Sequence, residues 1–122
     1  MEEILYQKMS SDPYIINKVG NRIYYQVDDW EEQWEDKLPM ITYSLIAEKK
    51  TRVSKILSYY QLTTWATTFK EAKEISDKLS EIFHHIKNDW YNYSVANDQV
   101  PLYDRTDCVH WVALDVSIIY RK

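Results

Sequence analysis

The sequence predicts an α+β fold, with a mainly antiparallel sheet, one long amphipathic helix packed on it and a short helical N-terminus. Three observations carry this expectation. Strand-like runs come in consecutive series around a single amphipathic helix, an order that suits an antiparallel sheet with the helix on one face. That helix has a clear start signal and an apolar stripe at helical spacing. Eleven Tyr and five Trp stand against one Gly, and aromatic side chains favour pleated strands. At 122 residues the chain has a single-domain length and is expected to form one domain over residues 1–122. A domain of this size buries about two-thirds of the surface its unfolded chain exposes.

In chain order, residues 2–10 predict a short helix, with Ile4, Leu5, Lys8 and Met9 on one partly apolar stripe. Asp12-Pro13 is a fresh helix start, the aspartate as N-cap and the proline in the first turn. That helix carries Tyr14, Ile15, Ile16 and Val19 and stops at Gly20, a residue suited to a left-handed C-cap. Residues 22–26 (RIYYQ) form a short β-prone run. The following VDDWEEQWEDK lacks buried periodicity and predicts an exposed loop. Leu38-Pro39 opens a second strand, and residues 40–47 alternate so that Ile41, Tyr43, Leu45 and Ala47 face the core. EKKTR is expected to turn the chain. Residues 54–65 form a long strand with Ile56, Tyr60 and Leu62 on one face and Leu57, Tyr59 and Trp65 on the other. A strand apolar on both faces is covered on both sides, by its own helix or by another subunit.

Thr68 and Glu71 make the capping box of the main helix. Ala72, Ile75, Leu79, Ile82, Phe83 and Ile86 form its stripe, and the pattern fades at Asn88-Asp89. Residues 90–95 suggest a short strand and ANDQVPLYDRTD a loop. Residues 108–120 predict a last long strand whose even positions, Val112, Leu114, Val116 and Ile118, are apolar. Trp65, Trp111, Tyr43 and Tyr60 are expected in the core, whereas Trp30, Trp34 and Trp90 are candidates for a partner surface.

The net charge of −4 disfavours binding nucleic acid through its phosphates, which needs a basic face. Cys108 is the only cysteine, so no intramolecular disulfide forms, as suits cytosolic folding. The N-terminal residues do not read as a secretion signal, and no apolar run approaches the roughly 20 residues that span a bilayer. The single Gly leaves no glycine-rich phosphate loop.

The residues that could carry chemistry do not assemble into a site. His84 and His85 are adjacent, so on a helix they point about 100° apart and cannot share a metal as an i, i+4 pair does. Cys108 and His110 share a strand face, as any i, i+2 pair does, with no third group to orient them. The acidic run lacks the glycine of a calcium loop. No catalytic residue, metal site or cofactor is expected.

Two charged tracts remain. Asp28, Asp29, Glu31 and Glu32 crowd the acidic run with Trp30 and Trp34, whereas Lys49, Lys50 and Arg52 crowd the basic turn with Lys55. Both tracts suit solvated surface. In a ring of identical subunits, the acidic run of one copy could also meet the basic turn of the next, a heterologous contact that closes by rotation.

Three segments carry a family resemblance: IINKVGNRIYYQV at 15–27, LPMITYSLI at 38–46 and YYQLTTWATTFKEAKEISDKL at 59–79. Together they resemble the tail completion, or tail-to-head joining, proteins of long-tailed phages. The final CVHWVALDVSIIYRK fits as well. The resemblance implies a tail-terminator-like fold and a homo-hexameric ring on the last ring of the phage tail tube protein. It implies docking to a head-completion or neck protein under the portal, with DNA only passing through the lumen. It also implies no enzyme activity, no cofactor and no membrane contact. Assembly in the host cytoplasm and a final place at the tail-head junction of the virion follow. Gly20, Arg22, Pro39 and Trp65 match the pattern as fold-setting residues. The acidic run departs from it.

The competing expectation is a small acidic DNA-mimic inhibitor of phage origin, supported by net charge and the acidic run. A mimic spreads acids over a broad face. Here they cluster in one run, and the main helix has balanced charge.

Overall fold

A computed structural model describes residues 2–20, 22–25, 38–50, 55–84, 93–104 and 109–121. Their elements are α1 (Glu2–Ser10), α2 (Pro13–Val19), β1 (Ile23–Tyr25), β2 (Met40–Lys50), β3 (Lys55–Ala66), α3 (Phe69–Phe83), β4 (Tyr93–Asp104) and β5 (Val109–Arg121).

Local chemistry sets the helix ends. Asp12 Oδ1 accepts hydrogen bonds from the backbone N–H of Tyr14 at 2.9 Å and of Ile15 at 3.2 Å, pairing donors that an N-terminal turn leaves free. Thr68 Oγ1 accepts from the Glu71 N–H at 3.3 Å. Gly20 ends α2 at φ 60, ψ −125. The positive φ was expected, but this ψ lies outside the left-handed helical well, in a region open essentially to glycine alone. Arg22 then secures the junction. Its Nε donates to the Pro39 carbonyl at 2.9 Å and its Nη2 to the Lys18 carbonyl at 3.3 Å. One guanidinium thus joins the last turn of α2 to the entry of β2.

The sheet has five strands among the described residues, in the order β1-β2-β3-β5-β4. β1 runs parallel to β2, and the other pairs are antiparallel. The expected α+β architecture is present, and three boundaries differ from expectation. β2 does not turn at Glu48. Glu48, Lys49 and Lys50 continue the ladder opposite Ser58, Leu57 and Ile56. They are exposed, so this end of the hairpin stands in solvent, where charged side chains are free to occupy a strand. β4 does not stop at Val95. It runs to Asp104 through residues that had suggested a loop, absorbing Asn97 and Asp98 in a register shift between Ala96 and Gln99. As an edge strand it tolerates both a bulge and Pro101. α3 ends at Phe83, where His84 turns to extended backbone at φ −85, ψ 120. Phe83 is the last buried residue of the stripe, and Ile86 lies outside the described residues.

All three helices lie on one face of the sheet. Beneath them Ile41, Tyr43 and Leu45 of β2, Tyr60 and Leu62 of β3, and Leu114, Val116 and Ile118 of β5 pack in one cluster. Leu5, Met9, Ile15, Val19, Ile75, Leu79 and Phe83 meet them from the helices. This is the alternation expected from the sequence, period 2 in the strands against period 3.6 in α3, except that in β2 it ends at Leu45: a register shift between Leu45 and Ala47 leaves Ala47, expected in the core, exposed. A smaller cluster of Ala66, Ala72 and Val112 closes the end near the start of α3.

Candidate interaction surfaces

The face of the sheet turned away from the helices changes character along its length. At one end Trp65 and Trp111, cross-strand partners in the β3·β5 ladder, stack with ring centroids 4.9 Å apart and planes 28° apart. The Trp65 Nε1–H donates to Thr42 Oγ1 at 2.9 Å. Each ring is only half-buried, so the pair is not the core element the sequence suggested. It paves an open surface. The reason is parity: Trp65 and Trp111 sit one residue out of phase with Leu62 and Leu114. Midway, Ser44 pairs with Gln61, which pairs with Asp115, a polar belt. At the far end Lys49, opposite Leu57, lies on this face and is exposed, and the register sets Lys55 opposite Arg121.

A second feature flanks the tryptophan end. Of the large exposed apolar side chains, Phe69, Val100, Leu102 and Tyr103 gather at the start of α3 and the second half of β4. The Tyr103 ring lies 4.3 Å from that of His110, and Phe69 meets the same imidazole edge-on at 6.4 Å. His110 is therefore an aromatic spacer. Behind this corner, Gln99 fastens the edge strand at its bulge. Its Oε1 accepts from Lys73 Nζ and Ser76 Oγ, both at 3.0 Å, and its Nε2 donates to Asp77 Oδ1 at 3.2 Å. Ser76 is buried on the apolar side of α3, and its helical spacing from Ala72 and Leu79 is the one trace of this contact in the sequence.

At the opposite edge, a groove of about 510 Å³ is lined by Glu3, Tyr6, Gln7, Tyr25 and Tyr43. Tyr25 and Tyr43 meet edge-on at 5.2 Å. Its volume is that of a small-molecule site, but such sites converge a few polar groups on one point. Here three of the five lining residues are tyrosines, which suits packing of a partner's side chains.

His84 is exposed at the end of α3, and His85, Trp90 and Cys108 lie outside the described residues. Among the described residues, no group of three His, Cys, Asp or Glu could hold a metal ion, and no helix is long and apolar enough to cross a membrane. Of the predicted interface residues, Lys49 and Lys50 are placed on the end of β2, whereas Asp28, Asp29, Trp30, Glu31, Glu32, Trp34 and Arg52 lie outside the described residues.

No protein-family model matches this chain, and no curated protein matches it. Among solved structures it is similar to a chain of a "Virion of native gene transfer agent (GTA) particle", with a TM-score of 0.72, 12% sequence identity, and coverage of 97% of this chain and 92% of that one. At that identity the likeness is one of fold, and it extends over nearly the whole of both chains.

Proposed function

We propose that this chain is a structural protein of a phage-like virion. Within the particle it forms a homo-hexameric ring at the head-proximal end of the tail, completing the tail and joining it to the head. The observation that carries the proposal is the near end-to-end likeness of fold to a chain of a gene transfer agent virion. The tail-completion motifs in three segments of the sequence support the finer placement. So does a sheet whose uncovered face and two edges each offer a different surface, as a subunit with several neighbours requires. Its partners are then further copies of itself, the tail tube protein below and a neck protein above. DNA passes through the lumen, and no cofactor takes part.

The test is deletion of the gene from its phage, read by electron microscopy with and without the protein supplied in trans. The expected result is filled heads and separate tails, with joined particles restored by the protein. Normal joined particles in the deletion strain would overturn the joining role and move the acidic DNA-mimic inhibitor to the front.

A further inference from the structure

We infer that neighbouring copies of this chain join edge to edge, the apolar corner around Phe69 and Tyr103 of one copy seated in the tyrosine groove of the next. The inference rests on the ring proposed above and adds to it the residues that join one subunit to the next. The two surfaces belong to opposite edges of one sheet, whose strand order ends in β1 on one side and β4 on the other. Both lie in the helix layer. The groove is lined by Glu3, Tyr6 and Gln7 of α1 with Tyr25 and Tyr43, and Tyr43 belongs to the helix-covered core cluster. At the other edge Phe69 opens α3, and Tyr103 is opposite His110, at the same parity as Val112 and Leu114. The groove is concave, whereas the corner stands out from the fold, with Phe69 45% and Tyr103 49% exposed. With Val100 and Leu102, which wrap the same edge, the corner exposes roughly 300 Å² of apolar side chain, the size of patch that marks a contact surface.

Charge and placement make the occupant a second copy. Glu3 at the groove and Lys70 beside Phe69 are both exposed, and neither forms an ion pair among the described residues. The corner thus carries a cation toward a groove that holds an acid. At about 510 Å³ the groove lies in the range that encloses a drug-sized group. It takes aromatic side chains, which pack well against tyrosine rings when offset or edge-on. Pro101 in the exposed half of β4 has no N–H to give, so side chains make this contact rather than a continued ladder. The two surfaces are different patches of the molecule, so the contact is heterologous and propagates around a ring. Rotation about the ring axis keeps every atom at its own height, so groove and corner stand level in each copy. The ladders set their offset. Tyr43 is level, through Leu62 and Leu114, with Gln99, and Tyr103 lies about 13 Å further along β4. The distance from β1 across to β4 is about 19 Å. The strands therefore incline at about 35° to the ring axis.

Full-length variants test the contact by their assembly on purified tail tubes, read by electron microscopy and sedimentation, with circular dichroism as the check on folding. F69A/Y103A removes two exposed rings and is expected to fold and to lose assembly at least tenfold. E3K and K70E each set like charges across the contact and are expected to weaken assembly, most strongly at low salt. E3K/K70E restores opposite charges at every contact of the ring and is expected to recover what the single variants lose. Wild-type assembly of F69A/Y103A or of either single charge variant would overturn the contact while leaving the ring intact, as would failure of E3K/K70E to recover. If the wild-type chain forms no ring on tail tubes, the ring proposal fails, and sedimentation equilibrium of the chain alone decides the contact. Self-association that weakens at least tenfold in F69A/Y103A supports it. A monomer at every concentration, or equal association of the two proteins, overturns it.

Discussion

The two faces of the sheet are made by the same strands and obey different rules. On the helix-covered face, Tyr60, Leu62, Leu114, Val116 and Ile118 are at most 1% exposed, and their surroundings are mainly apolar, with Ser58 and Thr64 as buried polar residues of β3. On the other face the strands present a tryptophan pair, then a polar belt, then the exposed Lys49 at the far end. A face that exists to exclude water has no reason to vary along its length. A face that varies in this way is divided among neighbours. Alternation along a strand therefore separates the residues that make the fold from those that use it.

The largest expected effect breaks the first face. Leu114 is fully buried at the centre of the main cluster. Leu114→Ala removes its buried methyls and leaves a void that the sheet cannot close, at a cost of about 3–4 kcal/mol. Equilibrium denaturation should show this as a lower midpoint with little change in slope. A loss below about 1 kcal/mol would mean that this face is not the packed core.

How much of this was legible in the sequence depended on whether a segment's burial was periodic. α3 was clear because Ala72, Ile75, Leu79 and Phe83 repeat at helical spacing behind Thr68. The inner parity of β2 as far as Leu45 and of β5 was clear because Ile41, Tyr43 and Leu45, and Val112, Leu114, Val116 and Ile118, recur at every second position. β3 read as apolar on both faces, and only its ladders show which face the helices cover. β4 was not clear, since Asn97, Asp98 and Pro101 are turn formers. Only the β5 ladder and the edge position make that stretch a strand, and neither is visible locally. Lys49 and Lys50 read as a turn for a similar reason: nothing in EKK shows that Leu57 and Ile56 stand opposite. The parallel pairing of β1 with β2 and the meeting of Lys55 with Arg121 are facts of topology. The tryptophans misled in a different way. Their size suggested core, but parity places Trp65 and Trp111 on the open face.

That last point gives the next prediction. Trp111→Ala removes a stacked, half-buried ring, so the loss of stability should be about 1–2 kcal/mol, well below that of Leu114→Ala. If the open face is an interaction surface, the variant should fold and yet assemble poorly on tail tubes. A stability loss equal to that of Leu114→Ala would instead make the tryptophan pair a second core. Wild-type assembly would remove the pair from the interface.

The smallest effect concerns a flaw in the covered face. Thr64 is fully buried with inward parity, and its Oγ1 finds no hydrogen-bond partner among the described residues. Its neighbour in register is Val112, a member of the small cluster with Ala66 and Ala72. A buried hydroxyl without a partner has given up its water and received nothing in return, a penalty of about 1–3 kcal/mol. Thr64→Val replaces that hydroxyl with a methyl group of nearly the same shape. The face should then become more stable by about 1 kcal/mol, since part of the penalty is relieved by packing adjustments already made. Thermal unfolding of the two proteins side by side decides it. A rise in midpoint means that the hydroxyl is an imperfection of the dry face, tolerated because the threonine suits a strand. A fall means that the hydroxyl has a partner in the folded protein, and the covered face is then less purely apolar than its contrast with the open face implies.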